Sequence, residues 1–295
     1  MKEISAKRLI SKVANPDWWF GNDYNVNFYR GCNHGCIYCD SRSECYGVDN
    51  FDEVKVKKNA LVLFENELSR KRKTGVVGIG AMSDSYNVFE KDMLITRGAL
   101  QLIDKYGFGV SLTTKSASIC RDIDLFKAIQ KHSDVIVQVT ITTSNDELAK
   151  IIEKRCSSTT ERFQALKELN DNGIYAGVTL MPILPFINDD ISNIESIVQM
   201  AHQYNIPFIV PWFGVTLRDI QREHFFKGID KHWPNLSQKY QKTFGDRYAC
   251  DSLNLASLSK RFEELCEMYS IKYKMTDVIA GYKRKRNNNE QISLF

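Results

Sequence analysis

Tyr29-Arg30-Gly31-Cys32-Asn33-His34-Gly35-Cys36-Ile37-Tyr38-Cys39 sets three thiols in one short loop, separated by three and then two intervening residues. Thiolates at this spacing look like the ligands of an iron–sulfur cluster. Such clusters usually take four thiolates, so a loop that supplies three leaves one iron open to a substrate or cofactor. An open iron points to catalysis rather than electron storage.

Outward from this loop, short β-branched runs alternate with longer helical periods, the pattern of βαβ units around a parallel sheet. The periodicity predicts helices over Asn59 to Lys71, Met93 to Tyr106, Asp122 to Lys131, Thr159 to Asn172 and Ile191 to Tyr204. Strands are predicted over Val76 to Gly80, Gly109 to Thr113, Asp134 to Ile141, Ile174 to Met181 and Pro207 to Phe213. The Val/Ile-rich run within Asp134 to Ile141 suits a strand covered on both faces. A further strand just before Cys32 completes six βα units. Barrels of this type carry their functional residues at the C-terminal ends of the strands, where the cysteine loop falls. From about Thr216 the alternation stops, and Arg218 to Ile229, Leu236 to Thr243 and Leu255 to Tyr269 read as helices.

The chain has 295 residues, 43% hydrophobic and 26% charged, which is ordinary globular composition and argues against disorder. The longest apolar stretch, Ala176 to Ile187, is broken by Pro182 and Pro185 and is too short to span a bilayer. The first residues carry Lys2, Glu3, Lys7, Arg8 and Lys12 with no continuous apolar block, so no signal peptide is expected and the location expected is cytoplasmic. In that reducing compartment eight cysteines favour metal or catalytic use over disulfides. The net charge of +4 is mild, with basic runs at Arg70 to Lys73 and Lys283 to Arg286. Such runs are usually solvated faces or tails.

The sequence resembles the radical S-adenosylmethionine superfamily, on Cys-x3-Cys-x-aromatic-Cys at the end of a first strand. More closely it resembles the branch named after spore photoproduct lyase, often labelled DNA repair photolyase-like. That likeness rests on the cysteine loop, Ser83-Asp84-Ser85-Tyr86, Leu94-Thr96-Arg97, Thr114-Lys115-Ser116, Thr140-Ile141-Thr142-Thr143 and Met181-Pro182-Ile183-Leu184-Pro185. The fold implied is α/β, an incomplete (β/α)6 barrel with a C-terminal helical subdomain. Its divisions are an N-terminal extension (1–24), the partial barrel (25–215), the helical subdomain (216–283) and a polar tail (284–295).

The resemblance also implies a [4Fe–4S] cluster on Cys32, Cys36 and Cys39, with S-adenosylmethionine on its free iron and a 5′-deoxyadenosyl radical that abstracts hydrogen from the substrate. Matched motif by motif, Tyr38 lies against the adenine. Ser83 and Asp84 lie near the methionine amino group, Lys115 faces its carboxylate, and Thr140 and Thr142 hold the ribose. The cluster calls for a reducing electron donor of the flavodoxin or ferredoxin type. No membrane partner is expected.

Two positions depart from the lyase. Ala81 stands where the lyase has a hydrogen-donating cysteine, and Asp40 where it has a tyrosine directly after the third cluster cysteine. Both point away from thymine-dimer repair, with Cys45 and Tyr86 as alternative relay candidates. The branch, the charge and the aromatic run Trp18-Trp19-Phe20 favour a nucleic-acid substrate. The alternatives are a peptide or small-molecule substrate and, in another class, a non-catalytic iron–sulfur or zinc protein that senses redox state or binds nucleic acid. A zinc site would add His34 to the three cysteines, although its place two residues from Cys32 gives poor tetrahedral reach. Cys120, Cys156, Cys250 and Cys266 form no second Cys-x-x-Cys motif and read as small buried hydrophobes.

Overall fold

The computed structural model describes residues 2–284 apart from Asp17; the tail from 285 onward, with Lys285 and Arg286 of the second basic run, lies outside the described residues. The central sheet contains β1 (Ile10–Lys12), β2 (Tyr24–Val26), β3 (Val76–Ile79), β4 (Gly109–Thr114), β5 (Val135–Thr140), β6 (Ala176–Leu180) and β7 (Ile209–Pro211). Their spatial order is β7-β6-β5-β4-β3-β2-β1. From β2 to β7 every neighbouring pair is parallel, and β1 joins the edge antiparallel to β2. The sheet is open, with six parallel strands as the alternation predicts.

Packing follows from pattern. Every residue of β5 is buried, as its Val/Ile-rich run requires. Besides the single α-helical turn Glu90–Met93, the helices between β2 and β7 are α1 (Ala60–Ser69), α2 (Ile95–Lys105), α3 (Ile123–Gln130), α4 (Asp146–Ile152), α5 (Thr159–Asp171) and α6 (Ile191–Gln203). In α2 the buried residues Thr96, Ala99, Leu100 and Ile103 fall on one helical face. A capping box between Ser158 and Glu161 fixes the start of α5.

The strand expected just before Cys32 is divided. Tyr24–Val26 stays in the sheet, whereas Tyr29–Arg30 pairs antiparallel with Lys55–Lys57, which also pairs with Lys2–Ile4. Between the two pieces Phe28 turns inward, edge-on to Phe64 at 5.1 Å, and carries the chain out of the sheet toward the cysteine loop.

After β7, Gly214–Thr216 pairs antiparallel with Ala249–Asp251, and α7 (Asp219–Asp230), α8 (Leu236–Phe244), α9 (Leu255–Met268) and α10 (Met275–Tyr282) complete the described chain. A second apolar core joins α7 and α8 to the cysteine loop, with Cys36, Ile37 and Tyr38 packed among Ile152, Leu184, Phe225, Ile229 and Tyr240, whereas α9 packs on the main core. Among the described residues no helix is long and apolar enough to cross a membrane.

Candidate active site

The cysteine loop is held from three sides. Cys32 N–H donates to the Phe51 carbonyl at 2.8 Å, and Gly31 has φ +77° with Phe51 and Glu53 carbonyls where a Cβ would sit, so only glycine fits. Ile37 N–H donates to the Ile152 carbonyl at 3.0 Å, and Arg155 donates through its amide to His34 O (2.9 Å) and through Nη1 to Asn33 O (3.1 Å). From α7, Gln221 Nε2 donates to the Tyr38 carbonyl at 3.1 Å, and Gly228 leaves room for Ile37, whose Cβ lies 3.0 Å from the place of a Cβ on that glycine.

The strand ends supply the fourth side. Ser83 Oγ donates to the Gly31 carbonyl at 2.5 Å. Asp84 Oδ1 accepts from Tyr86 N–H (2.9 Å) and the Thr114 hydroxyl (2.7 Å); Oδ2 accepts from Lys115 N–H (2.7 Å) and lies 3.4 Å from His34 Nδ1. Burial opposes the charge on Asp84, but His34, the hydroxyl and the amide outweigh it and hold the carboxyl well below the usual range. Burial likewise disfavours charge on His34, yet the Asp84 carboxylate pushes its pKa up to about 11. His34 thus faces the Asp84 carboxylate through Nδ1 and also meets the Cys32 sulfur.

Lys115, at the end of β4, has no hydrogen-bond or ion-pair partner for its ammonium among the described residues. Burial works against its charge, but Cys36, Glu153, Cys156 and Asp84 surround it and hold its pKa above the ordinary value. Its Nζ lies 5.9 Å from the centroid of the Tyr38 ring. A charged, unpartnered ammonium beside the cysteine loop is a ready anion site. Thr140 Oγ1 meets Thr179 Oγ1 at 3.0 Å, and Thr142 Oγ1 donates to Glu153 Oε1 at 3.4 Å, so both threonines share this end of the sheet.

Three residues that sequence reasoning left without a role are central here. Glu153 and Arg162, each 1% exposed, pair at 2.6 Å. Arg162 also donates to the carbonyls of Thr140 (Nη1) and Ser157 (Nε), both at 2.8 Å. Glu153 accepts from the Tyr38 hydroxyl and bridges to Cys36 in the backbone. Burial penalises its charge, but Arg162 and Lys115 outweigh it and keep the carboxyl below its usual range. The third is Cys156, whose Sγ lies 3.8 Å from Cys36 Sγ. A Glu, a Cys and an Arg scattered over ten positions carry no recognisable spacing, which is why the sequence did not reveal them.

The two relay candidates are placed differently. Cys45 is exposed on a 3-10 turn. Tyr86 is buried and donates to Asp122 Oδ2 at 2.9 Å. Asp40 acts as a strut, accepting from Thr216 (3.1 Å), Tyr46 (2.9 Å) and Arg218 (2.7 Å). Beside the loop opens a cavity of about 840 Å³ between the segments that follow β3 and β4 and the one that precedes α5, lined by Asn33, His34, Tyr86, Ser116, Arg155 and Cys156 among others.

All eight cysteines are free thiols. Cys32 and Cys36 are close enough to Cys39 that their charges, after burial, help raise its thiol to about 12. Among the described residues no three His, Cys, Asp or Glu side chains converge on a single-ion position. A cubane takes each thiolate on a different iron, so a trio of neighbouring but separate thiols, with an unpartnered cation next to it, fits such a cluster and an anionic ligand on its open corner.

The sequence model described as the Radical SAM superfamily matches residues 26–201. An uncharacterized protein of Methanocaldococcus jannaschii is 36% identical over 199 residues, 66% of this chain and 71% of that protein. An uncharacterized protein of Mycobacterium tuberculosis is 26% identical over 251 residues, 82% of this chain and 73% of that protein. Among solved structures, a cysteine-to-serine mutant of spore photoproduct lyase superposes with TM-score 0.66 at 13% identity, over 90% of this chain and 79% of that one. The same lyase complexed with dinucleoside spore photoproduct superposes with TM-score 0.64 at 12% identity, over 90% and 79%. At such identities the likeness concerns fold. With more than half its length matched by the family's sequence model, the chain belongs to the radical SAM superfamily.

Proposed function

We propose that this chain is a radical S-adenosylmethionine enzyme whose cluster is held by Cys32, Cys36 and Cys39 and whose substrate is a nucleic acid. Members of the superfamily are enzymes, and membership implies a [4Fe–4S] cluster and S-adenosylmethionine. When bound, the reduced cluster splits that cofactor to a 5′-deoxyadenosyl radical, which takes a hydrogen atom from the substrate. The chain's own residues bind and orient. The Lys115 ammonium takes the methionine carboxylate, the Tyr38 ring lies against the adenine, and the Thr140 and Thr142 hydroxyls face the ribose. Ser83 donates to Gly31 and keeps lone pairs for the methionine ammonium, whereas Asp84, all of whose lone-pair sites are occupied, fixes His34 and the loop.

The observation that carries this reading is the three-thiol loop pinned at the strand ends beside an unpartnered lysine. Protein reconstituted without oxygen should be brown, and on reduction should release 5′-deoxyadenosine from S-adenosylmethionine. Cys36→Ala should lose both signals, and a colourless wild type would overturn the assignment.

For the substrate, support comes from the fold shared with a lyase complexed with dinucleoside spore photoproduct and from the mild positive charge; Trp18 and Trp19, though exposed, adjoin Phe20, which packs on Ile136 and Phe208 at the other end of the sheet, and lend no support. Ala81 and the strut role of Asp40 argue for a reaction other than thymine-dimer repair. Stimulation of 5′-deoxyadenosine release by UV-damaged DNA or RNA tests this. No stimulation by either would favour a peptide or small molecule. The reaction is assigned to the cytoplasm, with a reduced flavodoxin or ferredoxin as donor.

A further inference from the structure

We propose that Cys156 is a positioning residue for Cys36, its thiol donating a hydrogen bond to the Cys36 sulfur and thereby easing reduction of the cluster; the proposal rests on the cluster assignment made above. A metal-bound cysteine is a thiolate and can only accept. A thiol 3.8 Å away, Cys156 Sγ, is then the donor. Hydrogen bonds to cluster sulfurs stabilise the more negative reduced state and are among the levers that set reduction potential.

The placement of Cys156 is fixed on both sides in sequence. Before it, Ile37 N–H reaches the Ile152 carbonyl and the Arg155 amide reaches His34 O, so the segment travels with the cysteine loop. After it, Ser157 N–H donates to Lys115 O at 3.2 Å, and the Ser157 carbonyl accepts from buried Arg162. Cys156 N–H itself donates to the Glu153 carbonyl at 3.0 Å. A thiol held by its backbone on the strand-end side of a ligand sulfur does not depend on the cluster for its position. It also borders the 840 Å³ cavity, so its surroundings change when that cavity fills.

The test is the midpoint potential of the reconstituted cluster, followed by electron paramagnetic resonance without substrate, in wild type, Cys156→Ser and Cys156→Ala at matched iron content. Cys156→Ala should move to a more negative potential, and Cys156→Ser, which keeps a donor, should stay near wild type. An unchanged potential in Cys156→Ala, or an equal shift in both variants, overturns the proposal. A wild type that takes up no iron overturns the cluster assignment instead.

A second measurement needs no cluster. Iron-free protein exposed to a low-molecular-weight disulfide should join Cys36 to Cys156: the two thiols lose two electrons and two protons, and the reagent's S–S bond is reduced to two thiols. Mass spectrometry should find that linked peptide pair in preference to any pair involving Cys45. Its absence would remove the geometric basis of the proposal, whatever the alanine variant does to folding.

Discussion

Lys115 and Glu153 show how one end of a sheet can hold opposite charges without cancelling them. Glu153 is ion-paired with Arg162 and accepts from the Tyr38 hydroxyl, while the lysine ammonium is stabilised by surrounding negative charge yet engaged by none of it. Lys115→Ala should therefore weaken S-adenosylmethionine binding about 10- to 100-fold, the worth of a charged hydrogen bond, while leaving iron content unchanged. Calorimetric titration of the reconstituted protein checks this, and equal affinity would remove Lys115 from the cofactor site. Glu153→Ala differs in kind, because it leaves a buried guanidinium unpaired. It should cost about 3–5 kcal/mol and lower the denaturation midpoint of the iron-free protein.

At the level of elements, the cysteine loop depends on α7 as much as on the strands before and after it. Gly228 is the closest approach, and Gly228→Val would push a branched side chain into Ile37. The expected cost is about 1–3 kcal/mol, with a lower iron-to-protein ratio after reconstitution; an unchanged ratio would show that α7 merely covers the loop. The longer parallel strands and helices were legible in the sequence because their periods are sustained, as in Asp134 to Ile141 and Met93 to Tyr106, whereas the strand expected just before Cys32 is cut to the three residues Tyr24–Val26 in the sheet. Helix α4 was not legible, since seven residues make about two turns and too short a window for a period to emerge. That short helix delivers Glu153 and Cys156, so the part of the site hardest to read is the part built from long-range contacts. The three cysteines, by contrast, announce themselves through local spacing.

Across the whole molecule, acid should act partly through His224 on α7. Burial first, and the nearby Arg42, Lys154 and Lys231 charges, lower its pKa from 6.5 to about 4 against the pull of Asp52. Between those values the unfolded chain binds a proton that the folded chain refuses, so stability is greatest above pH 6.5 and declines as pH falls toward 4. Because His224 is only half buried and solvent screens it, the decline from this group should reach no more than about 1 kcal/mol by pH 5, and His224→Gln should flatten that part of a denaturation-versus-pH curve. An identical slope in the variant would assign the acid sensitivity elsewhere. The union of the cysteine loop with the C-terminal helices reaches further still. Gln221 meets Tyr38 across 183 residues of sequence, so a nascent chain emerging from the ribosome presents its thiols long before their clasp is made. A cluster seated on those thiols would accordingly meet its complete receptor only once the chain through Asp230 has emerged and folded, and chains cut before Asp219 should take up less iron on reconstitution despite an intact cysteine motif.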